Sequence, residues 1–280
     1  MSTLHMPAWV RRMPASGWAG ALIVAMVIAA AAVSLVWTPA DPLHAEPAAR
    51  LAGPSLEHVL GTDRFGRDVA SRIMAGSRIT LFVGLVSVGV SALVGVPLGL
   101  WAGLRRGWAE RLAMRGADLL MAFPALLLAI VSTAVCGAST AAAMLAIGVA
   151  GIPGFVRVTR AAAARVATQD YIAAARLCGH GWARIAARHV LPNIASTIIV
   201  QASVGFALAV LAEAGLSFLG LGTPPPDPSW GRMLQAAQAS LSSAPQLALW
   251  PGLAIAVTVM GFNLLGDGLR DAFDPKGVRP

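Results

Sequence analysis

The sequence predicts an all-α polytopic membrane protein with six transmembrane helices. Three observations carry that expectation. The 280 residues are 57% hydrophobic and only 12% charged, apolar runs long enough to cross a bilayer recur along the chain, and the arginines fall between those runs. A mean hydropathy of +0.71 is more than a soluble core of this length needs.

A hydrocarbon core of about 30 Å takes about 20 residues at about 1.5 Å each. The expected spans are Gly17 to Trp37, Ile79 to Leu104, Leu119 to Val135, Thr140 to Phe155, Ile194 to Leu216 and Leu247 to Gly266. Arg11 and Arg12 precede the first span, as basic residues precede a secretory signal. Its apolar run is longer than the roughly 7 to 15 residues of a signal core, so it reads as a retained span. The organisation expected is an N-terminal segment 1–16, a first helix 17–37, an outer loop 38–78, a five-helix core 79–266 and a tail 267–280. Within the core a polar loop spans 156–193.

Charge placement sets the orientation. One side of the membrane takes Arg11, Arg12, Arg105, Arg106, Arg111, Arg115, the arginines of the 156–193 loop, Arg270, Lys276 and Arg279; the other keeps Arg50, Arg64, Arg67, Arg72, Arg78 and Arg232. The positive-inside rule therefore puts both termini and the central loop in the cytoplasm, with Ala174 inside and Ser55 and Ser229 outside. The net charge of +8 reflects this topology. No basic patch interleaved with aromatics is present, so nucleic acid is not expected as a partner; the lipid bilayer is. Cys136 and Cys178 fall in a span and in the central loop, so no disulfide is expected.

The central loop is the most informative segment. Arg157, Arg160, Arg165, Arg176, Arg184 and Arg188 face only Asp170 as a counter-charge in the loop's own sequence. It nevertheless looks helical. Gln169 to Cys178 is rich in Ala, Arg and Leu, Gly179 is placed as a C-terminal cap, and Trp182 to Val190 restarts a helix that Leu191-Pro192 should stop. Two short helices with a glycine elbow are expected to project from the membrane.

Three other stretches are unusual. In the outer loop, Gly61 and Gly66 permit tight turns, while Asp63, Arg64, Arg67 and Asp68 have the composition of a local ion-pair network. Between spans five and six, Pro224, Pro225, Pro226 and Pro228 favour an extended, rigid chain, and Trp230 suits a membrane interface. Gly95, Gly99 and Gly103 put three bare positions on one face of the second span, for either a sliding seam with a partner subunit or static packing within the chain.

Ala173-Ala174-Ala175, Gly179 and Leu191-Pro192 resemble, in spacing, the cytoplasmic EAA loop of permease subunits of ATP-binding cassette importers. Ala173 stands where that family usually has Glu, and His189 where it has Ile. Leu60-Gly-Thr62-Asp-Arg-Phe-Gly66-Arg-Asp68 resembles the outer-loop signature of the C-type permeases of the dipeptide, oligopeptide and nickel group. Glu213-Ala-Gly-Leu-Ser217-Phe-Leu-Gly220-Leu-Gly222, continuing through Pro228-Ser-Trp230-Gly231, and the closing Phe262-Asn263-Leu-Leu-Gly266-Asp-Gly match the same group. The resemblance implies a type I importer permease of MetI-like fold in the bacterial inner membrane. It also implies half of a translocation pore, completed by a second permease and coupled to two ATPases at the EAA-type loop. An external binding protein delivers di- or oligopeptides, or nickel, a chelate or glutathione. Gln201, Ser203 and Asn263 are polar candidates for the pore lining.

No catalytic, cofactor or metal site is expected in this chain. A phosphate-binding loop needs a lysine at a fixed place after glycines, and the one lysine, Lys276, lies between Pro275 and Gly277. ATP and magnesium are expected on the partner ATPases. A gradient-driven transporter, the rival from another class, needs ionisable residues in mid-span. Here Glu213 falls near an outer end, and Asp118 and Asp267 near inner ends.

Overall fold

The computed structural model describes residues 13–137 and 139–273. Arg11, Arg12, Asp274, Pro275, Lys276 and Arg279 lie outside the described residues, so the segments 1–16 and 267–280 are covered in part.

The helices run α1 (Ala15–Val33), α2 (Val69–Arg105), α3 (Trp108–Met121), α4 (Ala125–Cys136), α5 (Thr140–Val166), α6 (Asp170–Leu177), α7 (Trp182–Ile185), α8 (Leu191–Phe218), α9 (Trp230–Ala237) and α10 (Gln246–Phe273). α2 and α5 pack along much of their length, α8 lies against both, α10 packs on α8, and α1 covers α10 from outside. Among the described residues, five helical stretches are each long and apolar enough to cross a membrane, and the bent pair α3–α4, taken as one span, gives six.

The α2–α5 seam explains the glycine repeat. A Cβ on Gly95 would meet Ile152 O at 2.9 Å, on Gly99 Val156 O at 2.7 Å, and on Gly103 Arg160 O at 2.8 Å. The three glycines therefore serve close packing within the chain, where backbones approach as membrane helices do without a hydrophobic driving force. Hydroxyls cross the same seam: Ser87 Oγ donates to Met144 O at 3.0 Å and Ser91 Oγ to Gly148 O at 2.7 Å. A second glycine contact, Gly17 and Gly20 against Gly268 and Gly261, seats α1 on α10.

Several boundaries differ from expectation for identifiable reasons. The second helix begins at Val69 rather than Ile79, because Asp68 caps it by accepting from Ser71 N at 2.7 Å. The third span, expected from Leu119 to Val135 with its backbone ladder broken locally at Pro124, is interrupted at Ala122–Pro124 and bends by 78°. Pro124 supplies no N–H and disfavours helix at Phe123. The fourth helix continues past Phe155 to Val166, so Arg157 and Arg160 belong to it rather than to the loop. They also have counter-charges on α3: Arg157 pairs with Asp118 and Arg160 with Glu110. The sixth helix runs beyond Gly266 to Phe273.

Leu191-Pro192 does not stop a helix. α7 passes through a π-helical turn, Ala186–Val190, directly into α8, giving one rod from Trp182 to Phe218. Pro192 has no N–H for the ladder, and the wider turn just ahead of it accommodates the missing donor.

Candidate functional site

The elbow forms as its composition dictates. Gly179 has φ +75°, and the end of α6 is closed by two hydrogen bonds, Gly179 N–H to Arg176 O at 3.0 Å and His180 N–H to Ala175 O at 3.1 Å. This crossed pair satisfies last-turn carbonyls and needs a left-handed residue at Gly179. The inner face of the elbow is fixed: Ile172, Ala175, Ile185 and Val190 are buried with Ala162, Ala163 and Leu100, and Leu191 packs at the edge. The outer face is open. Ala173, Ala174, Gly179 and Pro192 are exposed, Leu177 is 90% exposed, and Trp182 stands beside the Arg105 guanidinium, 5.6 Å from its ring centroid. His189 stacks on His180 with centroids 5.9 Å apart. The absent glutamate at Ala173 would have stood on the exposed side, where it carries no part of the fold.

The outer-loop signature builds a cap over α2. Gly61 and Gly66 have φ +78° and +79°, and a Cβ at Gly66 would overlap Glu46 O. Thr62 bridges to Asp68 and its hydroxyl accepts from Ala52 N at 2.9 Å. The expected ion-pair network is narrower than its composition allowed. Asp63 pairs with Arg67 at 2.7 Å and more loosely with Arg72 at 3.8 Å. Arg64 makes no ion pair among the described residues; its guanidinium lies over the Phe65 ring at 4.6 Å. Asp68 holds Ser71 and His58 instead, His58 at 3.0 Å. Asp68-x-x-Ser71 was a readable capping signal, whereas the His58 contact had none.

The second outer segment is a seal rather than an extended loop. The Pro225-Pro226 bond is cis and the chain turns there, so the prolines do not hold one straight strand. Glu213 is buried in α8 and accepts from Ser217 Oγ at 2.7 Å, while Ser217 Oγ accepts from Thr223 N at 3.2 Å. Gly222 and Gly231 make this possible: a Cβ on Gly222 would stand 2.2 Å from Ser217 Oγ, and on Gly231 2.3 Å from Ala214 O. Gly220, with φ +81°, closes the end of α8. Trp230 faces the protein interior. It is 2% exposed, packs with Val69, Val210 and Met233, and donates to Ile73 O at 3.0 Å. Pro228 is buried beside it, and Ser229, expected on the outer surface, is buried as the cap of α9.

Between α2, the α3–α4 break, α5 and α8 lies an open cleft of about 460 Å³. Gln201 lines it. Ser203 does not, because it is buried against Gly266 of α10, and Asn263 is exposed on α10 away from the cleft. The break at Pro124 brings Met121, Ala125 and Leu126 to the cleft wall. No group of three or more His, Cys, Asp or Glu residues is arranged to hold a metal among the described residues.

Residues 95–278 match the family described as the binding-protein-dependent transport system inner membrane component. The chain is 42% identical over 92% of its length, and 84% of the relative's, to the dipeptide transport system permease protein DppC of Alkalihalophilus pseudofirmus. It is 46% identical over 80% of its length, and 74% of the relative's, to the glutathione transport system permease protein GsiD of Pectobacterium atrosepticum. A solved structure of the MetNI methionine transporter in an inward-facing conformation superposes with a TM-score of 0.61 at 18% identity, covering 72% of this chain and 97% of its own. The fold, the matched segment and the relatives agree: the chain belongs to the binding-protein-dependent transport system inner membrane components, as a multi-pass permease subunit of an ATP-binding cassette importer.

Proposed function

We propose that this permease forms half of the pore of an importer for di- or oligopeptides and takes its energy from two ATPases docked on the α6–α7 elbow. One observation carries the coupling role: the elbow is exposed on its outer face and buried on its inner face against α2, α5 and α8. A push on such an element passes into three spans at once. A second permease completes the pore, a binding protein delivers solute to the outer cap, and both termini lie in the cytoplasm. Alternating access is then a two-state equilibrium biased by ATP at one face and by the loaded receptor at the other. The relatives' names favour peptide solutes, glutathione included, since that tripeptide shares the amide chemistry.

Reconstitution tests the whole reading. Vesicles holding the permease pair and the ATPases, supplied with loaded binding protein, should take up dipeptide only with ATP. Uptake should vanish when any one component is omitted. This chain alone should neither hydrolyse ATP nor accumulate solute. Accumulation by the chain alone on a proton or sodium gradient is the outcome that sinks the proposal.

Orientation has its own measurement. In a chain whose Cys136 and Cys178 are both replaced by alanine, single cysteines at Ser55 and Asp227, both exposed, should react with an impermeant thiol reagent from outside. One at Ala174 should react only after the membrane is opened. Labelling of position 174 in sealed cells reverses the topology.

A further inference from the structure

The central cleft is nearly all carbon. None of its lining residues is Asp, Glu, Lys, Arg or His, and its two serines, Ser87 and Ser91, already donate to carbonyls of α5. Gln201 is the exception. It sits half-buried on α8, its carboxamide without a hydrogen bond among the described residues, facing the point where α5 is thinned to Gly154. A Cβ at Gly154 would approach Gln201 Nε2 to 3.1 Å, so a larger residue there would press on the carboxamide.

A carboxamide presents N–H donors and a carbonyl acceptor side by side. A secondary amide presents one of each on opposite edges of the trans peptide plane, so a carboxamide meets one of them at a time, and its oxygen is the partner for the N–H. In an apolar wall such a pair is electrostatically stronger than in water, and an unmatched solute amide is correspondingly costly there. The absence of charged residues from this wall has a second effect. The solute's terminal ammonium and carboxylate find no ionic partner in this half of the cleft, and its side chains meet only carbon.

We propose that Gln201 is a specificity-determining residue whose carboxamide oxygen accepts a hydrogen bond from a backbone amide N–H of the passing solute. The cleft thereby selects for a peptide bond while tolerating any side chain that fits. This rests on the reading of the chain as a peptide importer permease.

The test uses the complete assembly in proteoliposomes with two probes, alanyl-alanine and its ester counterpart alanyl-lactate, each loaded to saturation on the binding protein. The ester lacks the N–H and offers a weaker carbonyl. The unmodified assembly should move the ester about tenfold more slowly per loaded receptor, the size of effect one well-made hydrogen bond supports. In Gln201→Leu the amide should slow to the rate of the ester, so that the ratio falls to about one. Gln201→Glu keeps an acceptor for the N–H and should retain part of the discrimination, which decides the matter if the leucine variant fails to co-purify with its partners. An undiminished ratio in Gln201→Leu with normal alanyl-alanine uptake overturns the role of Gln201 alone. If the unmodified assembly responds to its receptor by hydrolysing ATP yet imports neither probe, the peptide reading fails and takes this proposal with it.

Discussion

Gly99→Val is expected to remove most of the folded protein from the membrane. The Cβ alone would stand 2.6 Å from Thr159 Cβ and 2.7 Å from Val156 O. Neither contact is the far end of a flexible side chain, so relief requires α2 and α5 to separate. Separation also stretches the two serine bonds across the seam, at Ser87 and Ser91. Overpacking of a tight contact costs about 1 to 3 kcal/mol, and the valine adds two methyl groups beyond the Cβ. The measurement is the yield of monodisperse protein after detergent extraction, with its thermal midpoint. The control lies on the same helix: a Cβ at Gly89 meets nothing within 4 Å, and Gly89→Val should extract like the parent. Equal behaviour of the two variants refutes the seam.

The second large effect falls on function with the fold left standing. A Cβ at Gly179 also meets nothing within 4 Å, but φ there is +75°. The penalty is therefore conformational and local, on the order of 1 to 2 kcal/mol for an ordinary side chain and more for a β-branched one. Gly179→Val should insert and extract normally, because the spans do not depend on this residue. The elbow, though, should reopen and α6 lose its closing bonds. ATP-driven uptake is expected to fall about tenfold or more while ATP hydrolysis by the partners persists. Asparagine tolerates the left-handed region, so Gly179→Asn should recover most of the uptake, with alanine between the two. Normal coupled transport in Gly179→Val refutes the elbow reading, and equal loss in the asparagine variant shows that space, not backbone angle, is limiting.

Much of the bundle was legible because burial in lipid enforces long apolar runs that no loop would carry. The elbow was legible too, since Gly179 after an alanine-rich stretch has one economical conformation. Three features were hidden for separate reasons. At Pro124 the missing backbone donor announces a local kink, but the size of the bend, 78°, is hidden because neither hydropathy nor the proline itself fixes an angle. The run through Pro192 was misjudged in the opposite direction, since proline weakens the ladder without always ending it. The residue type of Trp230 suits an interface, but its burial depends on the room left at Gly76, where a Cβ would stand 2.9 Å from Trp230 Cδ1. Contacts between residues so far apart in sequence leave no local signature. Gln201 could be picked out as polar, but its isolation in a carbon-walled cleft becomes visible only once Ser87 and Ser91 are seen to be occupied.

The rod from Trp182 to Phe218 has 37 residues, about 55 Å at the usual rise. The glycine elbow adjoins one end, and near the other lies the buried Glu213–Ser217–Thr223 chain that fastens the outer segment. An unbroken helix of this kind works as a lever: a tilt of about 5° around its middle displaces each tip by about 2 Å in opposite directions. That is comparable to the length of a hydrogen bond. A modest stroke at the elbow tip is thus geometrically sufficient to strain the fastening at the far end, and the π-helical turn beside Pro192 marks where the rod is least stiff and the stroke would be partly absorbed.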